Sequence, residues 1–233
     1  MIVVNRQSIP KIELIGKHKT PVIIIDDYAV NPDEIAVEAA TQGGFSPDNV
    51  TNYPGVRSPI SKALVVGYLK PLMPLLYRIY KFPKSLTPAP KDNYFSLITK
   101  QPSELSALQT WPHFDTPDPN LLAVIHYLDK GSHGGTGFFR HNKSNLEHVD
   151  ETSIDDYYKY ADDYFQSIKA NAYAYCTEQH SEFTCYKKIE YKPNRLIIFP
   201  GQLLHSTLVD SDTKVDQNLS SGRLTANLFA AFK

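Results

Sequence analysis

Apolar and polar positions follow two different periods along the chain. Pro21-Val-Ile-Ile-Ile-Asp26 is a short apolar run that reads as a buried strand. Asn31-Pro32-Asp33-Glu34 then supplies an N-cap, a proline at the first helical turn and an acid three residues on, so a helix should run to about Gln42 and stop at Gly43-Gly44. Tyr53-Pro54-Gly55-Val56-Arg57-Ser58-Pro59 reads as loop. From Lys62 to Tyr80, Leu64, Val65, Tyr68, Leu69, Leu72, Leu76 and Ile79 recur at helical spacing. Pro71 and Pro74 lack interior donors, which predicts a kink or two short helices.

After residue 92 the period becomes that of strands. Tyr94–Thr99, Leu121–Leu128, Thr136–Phe139, Phe183–Ile189, Arg195–Phe199, Leu203–Val209 and Arg223–Phe232 are short apolar or alternating runs, most of them separated by turn residues. That pattern predicts an antiparallel sandwich or barrel. An insertion over about 142–182 interrupts it. Between Thr152 and Ala172, Ile154, Tyr157, Tyr158, Ala161, Tyr164, Phe165 and Ile168 form one helical stripe, with Asp155, Asp156, Asp162 and Asp163 outside it. The expectation is a single domain over 1–233: a helical N-terminal portion (1–91), then a β core (92–233) carrying one inserted helix.

Composition narrows the function. The 233 residues are 42% hydrophobic and 21% charged, a globular balance. Lys plus Arg number 24 against 25 Asp plus Glu, so a nucleic-acid partner is not expected. No apolar run is long enough for a membrane span, and the first twenty residues hold no signal-like apolar stretch. Two cysteines, Cys176 and Cys185, suit a reducing, cytoplasmic setting, where the sequons at Asn49, Asn142 and Asn218 carry no weight.

The candidate chemistry starts at His113-Phe114-Asp115. On a strand, residues i and i+2 share a face, and His205 lies on a later strand. Two histidines and one carboxylate on one face of Fe(II) leave positions open for co-substrate and oxygen. With eight His and 16 Asp, about half a His-x-Asp arises by chance, so the tripeptide needs context. His148-Val149-Asp150 and His180-Ser181-Glu182 are such decoys in or beside the polar insertion. Behind His113 stand the strand LLAVIHYLDK, Gly134-Gly135-Thr136-Gly137-Phe138-Phe139, Arg195 to Phe199 leading through Pro200-Gly201 to His205, and Gly222-Arg223 opening the last strand. A guanidinium inside the barrel makes a bidentate clamp for a carboxylate.

The order HFD, YL, GGTGF, FPGQLLHS, GRLTANLF resembles the 2-oxoglutarate/Fe(II)-dependent dioxygenases, most of all the prolyl-hydroxylase-type branch and its uncharacterised bacterial members sharing a GGT-F-x-RH stretch, here Gly134 to His141. The resemblance covers about residues 92–232. It implies a double-stranded β-helix (jelly roll) with supporting helices. It implies that His113, Asp115 and His205 bind Fe(II), that Arg223 pairs with the distal carboxylate of 2-oxoglutarate, and that Tyr127 hydrogen-bonds the same group. Molecular oxygen and a small-molecule or peptide substrate are then the reaction partners. Asp115 is present, where the halogenase branch carries a small residue, so hydroxylation is expected. The loop from Tyr94 to His113 is long, so no co-substrate contact is placed on that strand, and the insertion from about Asn142 to Glu182 has no counterpart in the minimal fold, so no substrate is borrowed.

Blander readings stand beside each residue. Arg223 can be a salt-bridge residue, Tyr127 a core tyrosine, and Trp111 with Arg140-His141 loop packing. His126 alternates away from Tyr127 and reads as a satisfied strand histidine. Cys176, His180 and Cys185 offer three ligands where structural zinc wants four, so two free thiols are expected. The helix from Thr152 is a solvated face over an aromatic stripe, or a lid. Two alternatives to the oxygenase are a catalytically silent jelly-roll binding module and a cupin-like metal enzyme that uses no 2-oxoglutarate.

Overall fold

The alternating runs pair into two antiparallel sheets in the computed structural model, which describes residues 2–48, 51–167, 173–209 and 215–233. Along the chain the strands are β1 (Lys11–Ile15), β2 (Thr20–Ile25), β3 (Ser46–Pro47), β4 (Gly55–Pro59), β5 (Pro88–Ile98), β6 (Leu121–Tyr127), β7 (Thr136–His141), β8 (Phe183–Ile189), β9 (Leu196–Pro200), β10 (His205–Thr207) and β11 (Leu224–Phe232). The helices are α1 (Pro32–Gln42), α2 (Lys62–Tyr80) and α3 (Ile154–Ser167). The larger sheet has the order β1-β2-β9-β6-β11-β5-β4-β3 and the smaller β10-β7-β8. The protein is therefore mainly β.

Strand alternation sorts the side chains of the larger sheet into two cores. Leu122 and Val124 of β6, Leu196 and Ile198 of β9, and Leu224, Ala226, Leu228 and Ala230 of β11 face outward. They pack under α2 through Leu64, Val65, Tyr68, Leu69, Leu72 and Leu76. Each fully buried aliphatic side chain there contributes about 1.5–3 kcal/mol. Ala123, Tyr127, Ile197 and Phe199 face inward, against Phe138 and Ile189 of the smaller sheet and Leu203. The interior between the two sheets is where the candidate site lies.

Several elements differ from the sequence reading. The segment 1–91 is not simply helical: it gives four strands to the larger sheet and begins a fifth. The segment from Tyr53 to Pro59, read as loop, contains β4, which pairs with β5 through Gly55↔Ile98 to Pro59↔Tyr94. Gly55 is there because its backbone lies against β5, where a Cβ would stand 2.0 Å from the Leu97 carbonyl oxygen. Helix α2 is one element with no break at Pro71 or Pro74. Both prolines lie on its exposed side, where water satisfies the carbonyls they leave unpaired, while the opposite stripe is pinned by burial. Asn31 sits at the α1 N-cap position without capping: its Oδ1 accepts from Val3 N at 3.0 Å and its Nδ2 donates to Glu34 Oε2 at 2.6 Å.

The inserted helix forms, with Tyr157 and Ala161 buried, but Tyr158 is half exposed rather than part of the apolar stripe. Ile168 of that stripe, Ala172 at the end of the span read as helical, and the sequon at Asn49 lie outside the described residues. Among the described residues no helix is long and apolar enough to cross a membrane.

Candidate metal centre

His113 does not lie in a regular strand. It follows a short 3-10 turn (Ala107–Thr110) and the buried Trp111, and makes an isolated antiparallel bridge to His205. The two residues exchange backbone hydrogen bonds, His113 N–H to His205 O at 2.9 Å and the reverse at 2.8 Å. Two residues on, Asp115 N–H donates to Gly201 O at 2.7 Å, so the segment 113–115 runs beside 201–205. A Cβ on Gly201 would meet Leu121 Cδ2 at 2.8 Å and Asp115 Cβ at 3.3 Å, which is why the chain carries glycine at this crossing.

The three ligand atoms converge. Asp115 Oδ1 is 4.0 Å from His113 Nε2, and Asp115 Oδ2 is 3.8 Å from His205 Nε2. The imidazole centroids are 4.4 Å apart, and one ligand atom from each residue falls within 4.8 Å of the others. His205 Nδ1 is 2.8 Å from the Leu203 carbonyl oxygen, which can only accept. Nδ1 therefore carries the proton, and Nε2 presents its lone pair toward Asp115. Asp115 Oδ2 is buried and accepts no hydrogen bond, an orphan of the kind native proteins seldom leave without an ion or ligand. Burial pushes the Asp115 carboxyl up in pKa against the opposing pull of His205 and Arg57. Half of the His113 side chain is still open to solvent, which places that ring at the mouth of the site.

Arg223 precedes β11 and is 7% exposed. Its Nε donates to Gly134 O at 3.1 Å, and its guanidinium carbon stands 5.5 Å from the Tyr127 ring centre and 5.9 Å from that of Tyr191. Nη2 is buried and makes no hydrogen bond. Tyr127 is fully buried, its hydroxyl 2.7 Å from Thr136 Oγ1. Arg223 and Tyr127 are thus together in the interior.

The other singled-out residues lie apart from the three ligand atoms. His126 lies under α2, its Nε2 3.0 Å from Asn194 Oδ1 and its Nδ1 2.8 Å from Tyr68 Oη. Trp111 packs among Tyr164, Phe165, His180 and Phe183. Cys176 and Cys185 are free thiols. In a second group of possible ligand atoms, His18, Glu147 and His148, two members already hold hydrogen-bond partners. Glu147 accepts from Arg140 Nε at 2.6 Å and from Lys17 N at 2.9 Å, and His148 Nε2 is 2.8 Å from Thr20 Oγ1. In the two decoys, Asp150 Oδ1 accepts from Thr152 N at 3.0 Å and from Ser153 N at 3.0 Å, and His180 Nδ1 accepts from Glu182 N at 3.1 Å.

Sequence reasoning missed Arg57, Tyr53, Ser96 and Asn227, each with a buried polar atom that lacks a hydrogen-bond partner. Parity was the available signal for two of them. Ser96 on β5 and Asn227 on β11 share the inward phase of strands whose other face is apolar.

Fold and site together define a mainly antiparallel β protein with a two-histidine, one-carboxylate cluster between its sheets. The chain belongs to the family of unknown function DUF6445, whose profile matches residues 6–230. No curated protein matches it. Among solved structures it is similar to an N-substituted L-amino acid dioxygenase from Burkholderia ambifaria AMMD, with 11% identity over 97% of this chain and 94% of the other and a TM-score of 0.38. It is also similar to that enzyme in complex with alpha-KG, with 9% identity over the same shares and a TM-score of 0.34.

Proposed function

We propose that the protein is a non-haem Fe(II), 2-oxoglutarate-dependent oxygenase that hydroxylates a bound substrate. The observation that carries this reading is the convergence of His113, Asp115 and His205 around an orphaned carboxylate oxygen, with the lone pair of His205 Nε2 fixed toward it. An N2O donor set of two imidazoles and one carboxylate suits a non-haem ferrous ion with open positions. The strand order β5-β11-β6-β9 facing β10-β7-β8, with His113 bridging to β10, supports a jelly-roll arrangement.

The residues divide the work. His113, Asp115 and His205 would hold the iron. Leu203 O fixes the His205 tautomer, and the backbone pairing of His113 with His205 fixes their spacing. Arg223, with an unused Nη2 and, among the described residues, no acidic partner, would take the distal carboxylate of 2-oxoglutarate, flanked by the Tyr127 hydroxyl. The aromatic interior around Phe138, Phe199 and Tyr127 excludes water. When bound, iron would couple oxidation of 2-oxoglutarate to succinate and carbon dioxide with insertion of one oxygen atom into a substrate C–H bond, the second oxygen atom entering succinate.

Slow succinate release in the absence of substrate tests the reading against a silent binding module and a cupin-like enzyme. Iron-loaded protein with 2-oxoglutarate and oxygen should release succinate, and D115A should not. No succinate from iron-loaded wild-type protein would exclude the reading.

A further inference from the structure

The iron and 2-oxoglutarate assignments leave a second, largely buried cation, Arg57, unused. Backbone register carries Arg57 across the sheet: it pairs with Ser96, Ser96 with Thr225, and Thr225 with Tyr127. The alternate residues Val56, Leu97 and Ala226 belong to the helix-covered core, so Arg57 and its row point inward. The guanidinium stands 4.4 Å from the Tyr53 ring centre and 5.4 Å from that of Tyr94, while Nη1 donates to Asp48 Oδ2 at 2.7 Å and to Thr51 Oγ1 at 2.6 Å. Stacking and one ion pair therefore fix its orientation before any ligand arrives.

What that rigid group offers is unfilled. Arg57 Nε, Tyr53 Oη, Ser96 Oγ and Asn227 Oδ1 are all buried without a hydrogen-bond partner, and Asn227 lies on the neighbouring inward row opposite Tyr94. Gln109 Nε2 donates to Tyr53 O at 3.2 Å, and Gln109 belongs to the 3-10 turn that leads through Trp111 to His113, so this group lies on the His113 side of the interior. Three of the four orphans can donate, a set that matches an acceptor with several lone pairs. Asp48 already offsets part of the positive charge, which favours a singly charged anion over a phosphate dianion.

We infer that Arg57, with Tyr53 and Ser96, anchors a carboxylate of the substrate, so that the oxygenase acts on a small carboxylic acid held separately from the 2-oxoglutarate at Arg223. This assignment of substrate class rests on the oxygenase reading. Arg57 is a binding residue in it, and the group oxidised lies on the side of the acid that faces His113 and Asp115.

The test uses hexanoate and its neutral counterpart hexanamide as probes, followed by saturation-transfer NMR on the full chain with Zn(II) in place of iron, with and without saturating 2-oxoglutarate. Wild-type protein should bind the acid at least tenfold more tightly than the amide. Arg57→Gln should erase the preference, and so should D48N/R57Q, which removes both charges together and avoids a lone buried charge. Both variants should melt cooperatively, bind 2-oxoglutarate within threefold of wild type, and differ in this from Arg223→Gln, which should lose 2-oxoglutarate and keep the hexanoate preference. Equal affinity for acid and amide, a preference that survives in both Arg57 variants, or a loss of 2-oxoglutarate on changing Arg57 as large as the loss of hexanoate would each overturn the assignment. Failure of wild-type protein to bind 2-oxoglutarate would instead refute the oxygenase reading, because the acid–amide comparison is also made in its absence.

Discussion

His113 and His205 are neighbours across a two-bond backbone bridge, and their imidazole centroids lie 4.4 Å apart. The spacing of the two nitrogen ligands is therefore set by main-chain pairing, not by side-chain packing alone. A slip of one residue in that pairing would turn His205 to the opposite face and dissolve the cluster. Gly201 and Asp115, joined by the 2.7 Å bond from Asp115 N–H, are the second point that holds the register.

Gly201→Val should consequently harm the site more than the fold. The added side chain overpacks against Leu121 and Asp115 at an expected cost of about 1–3 kcal/mol. Urea denaturation should show a cooperative transition at lower midpoint, and chelator competition should show iron affinity falling by about tenfold or more, since the ligand geometry moves. Unchanged iron affinity in the destabilised variant would mean that the crossing does not position Asp115.

Arg223→Ala should separate co-substrate from metal. Truncating one partner of a buried charge pair costs about 2–5 kcal/mol, which at about 1.4 kcal/mol per decade weakens 2-oxoglutarate by roughly 30-fold or more. Iron affinity, measured by chelator competition without co-substrate, should change less than threefold. Equal loss of both would make Arg223 a structural residue of the interior, stacked on Tyr127 and Tyr191 and nothing more.

Much of this was legible from residue pattern. The runs around Leu121–Tyr127 and Leu224–Phe232 alternate so clearly that their outward face, their inward face and the inward placement of Tyr127 follow from parity. The separated residues His113, Asp115, His205 and Arg223 stand out in the sequence because each sits beside a strand or turn signal. Arg57 escaped because β4 is a short strand made of Gly55, Pro59 and three residues between. Its local composition says turn, and only long-range pairing with β5 makes it a strand. The unbroken α2 escaped for a related reason: burial of one stripe outweighs the hydrogen bonds lost at Pro71 and Pro74. The i, i+2 logic placed His113 and Asp115 correctly together, although they lie on a bridge and bend and not on a regular strand.

Stability should fall on acidification through His126. Asn194 Oδ1 accepts from Ala29 N–H at 2.9 Å, so it also accepts from His126 Nε2, and Nδ1 is the lone pair that receives the Tyr68 hydroxyl. Burial pushes this imidazole from 6.5 down to about 4. Between those values the unfolded chain binds a proton that the folded chain refuses, so the contribution is fully present above about 6.5 and is lost as pH drops toward 4. The loss amounts to about 3 kcal/mol at 1.36 kcal/mol per pKa unit. Urea denaturation of wild type and His126→Gln at a series of pH values should show the variant less stable near pH 7 and less steep below 6.5. Parallel pH profiles would remove His126 from the account.

The central claim is that three separated side chains hold one ferrous ion with room for a 2-oxoglutarate chelate beside it. Visible absorption under nitrogen reads this directly. Addition of Fe(II) and 2-oxoglutarate to the wild-type protein should give a weak charge-transfer band, and H113A and D115A should each abolish it. No band from protein shown to carry its full complement of iron, or a band that persists without Asp115, would contradict the account.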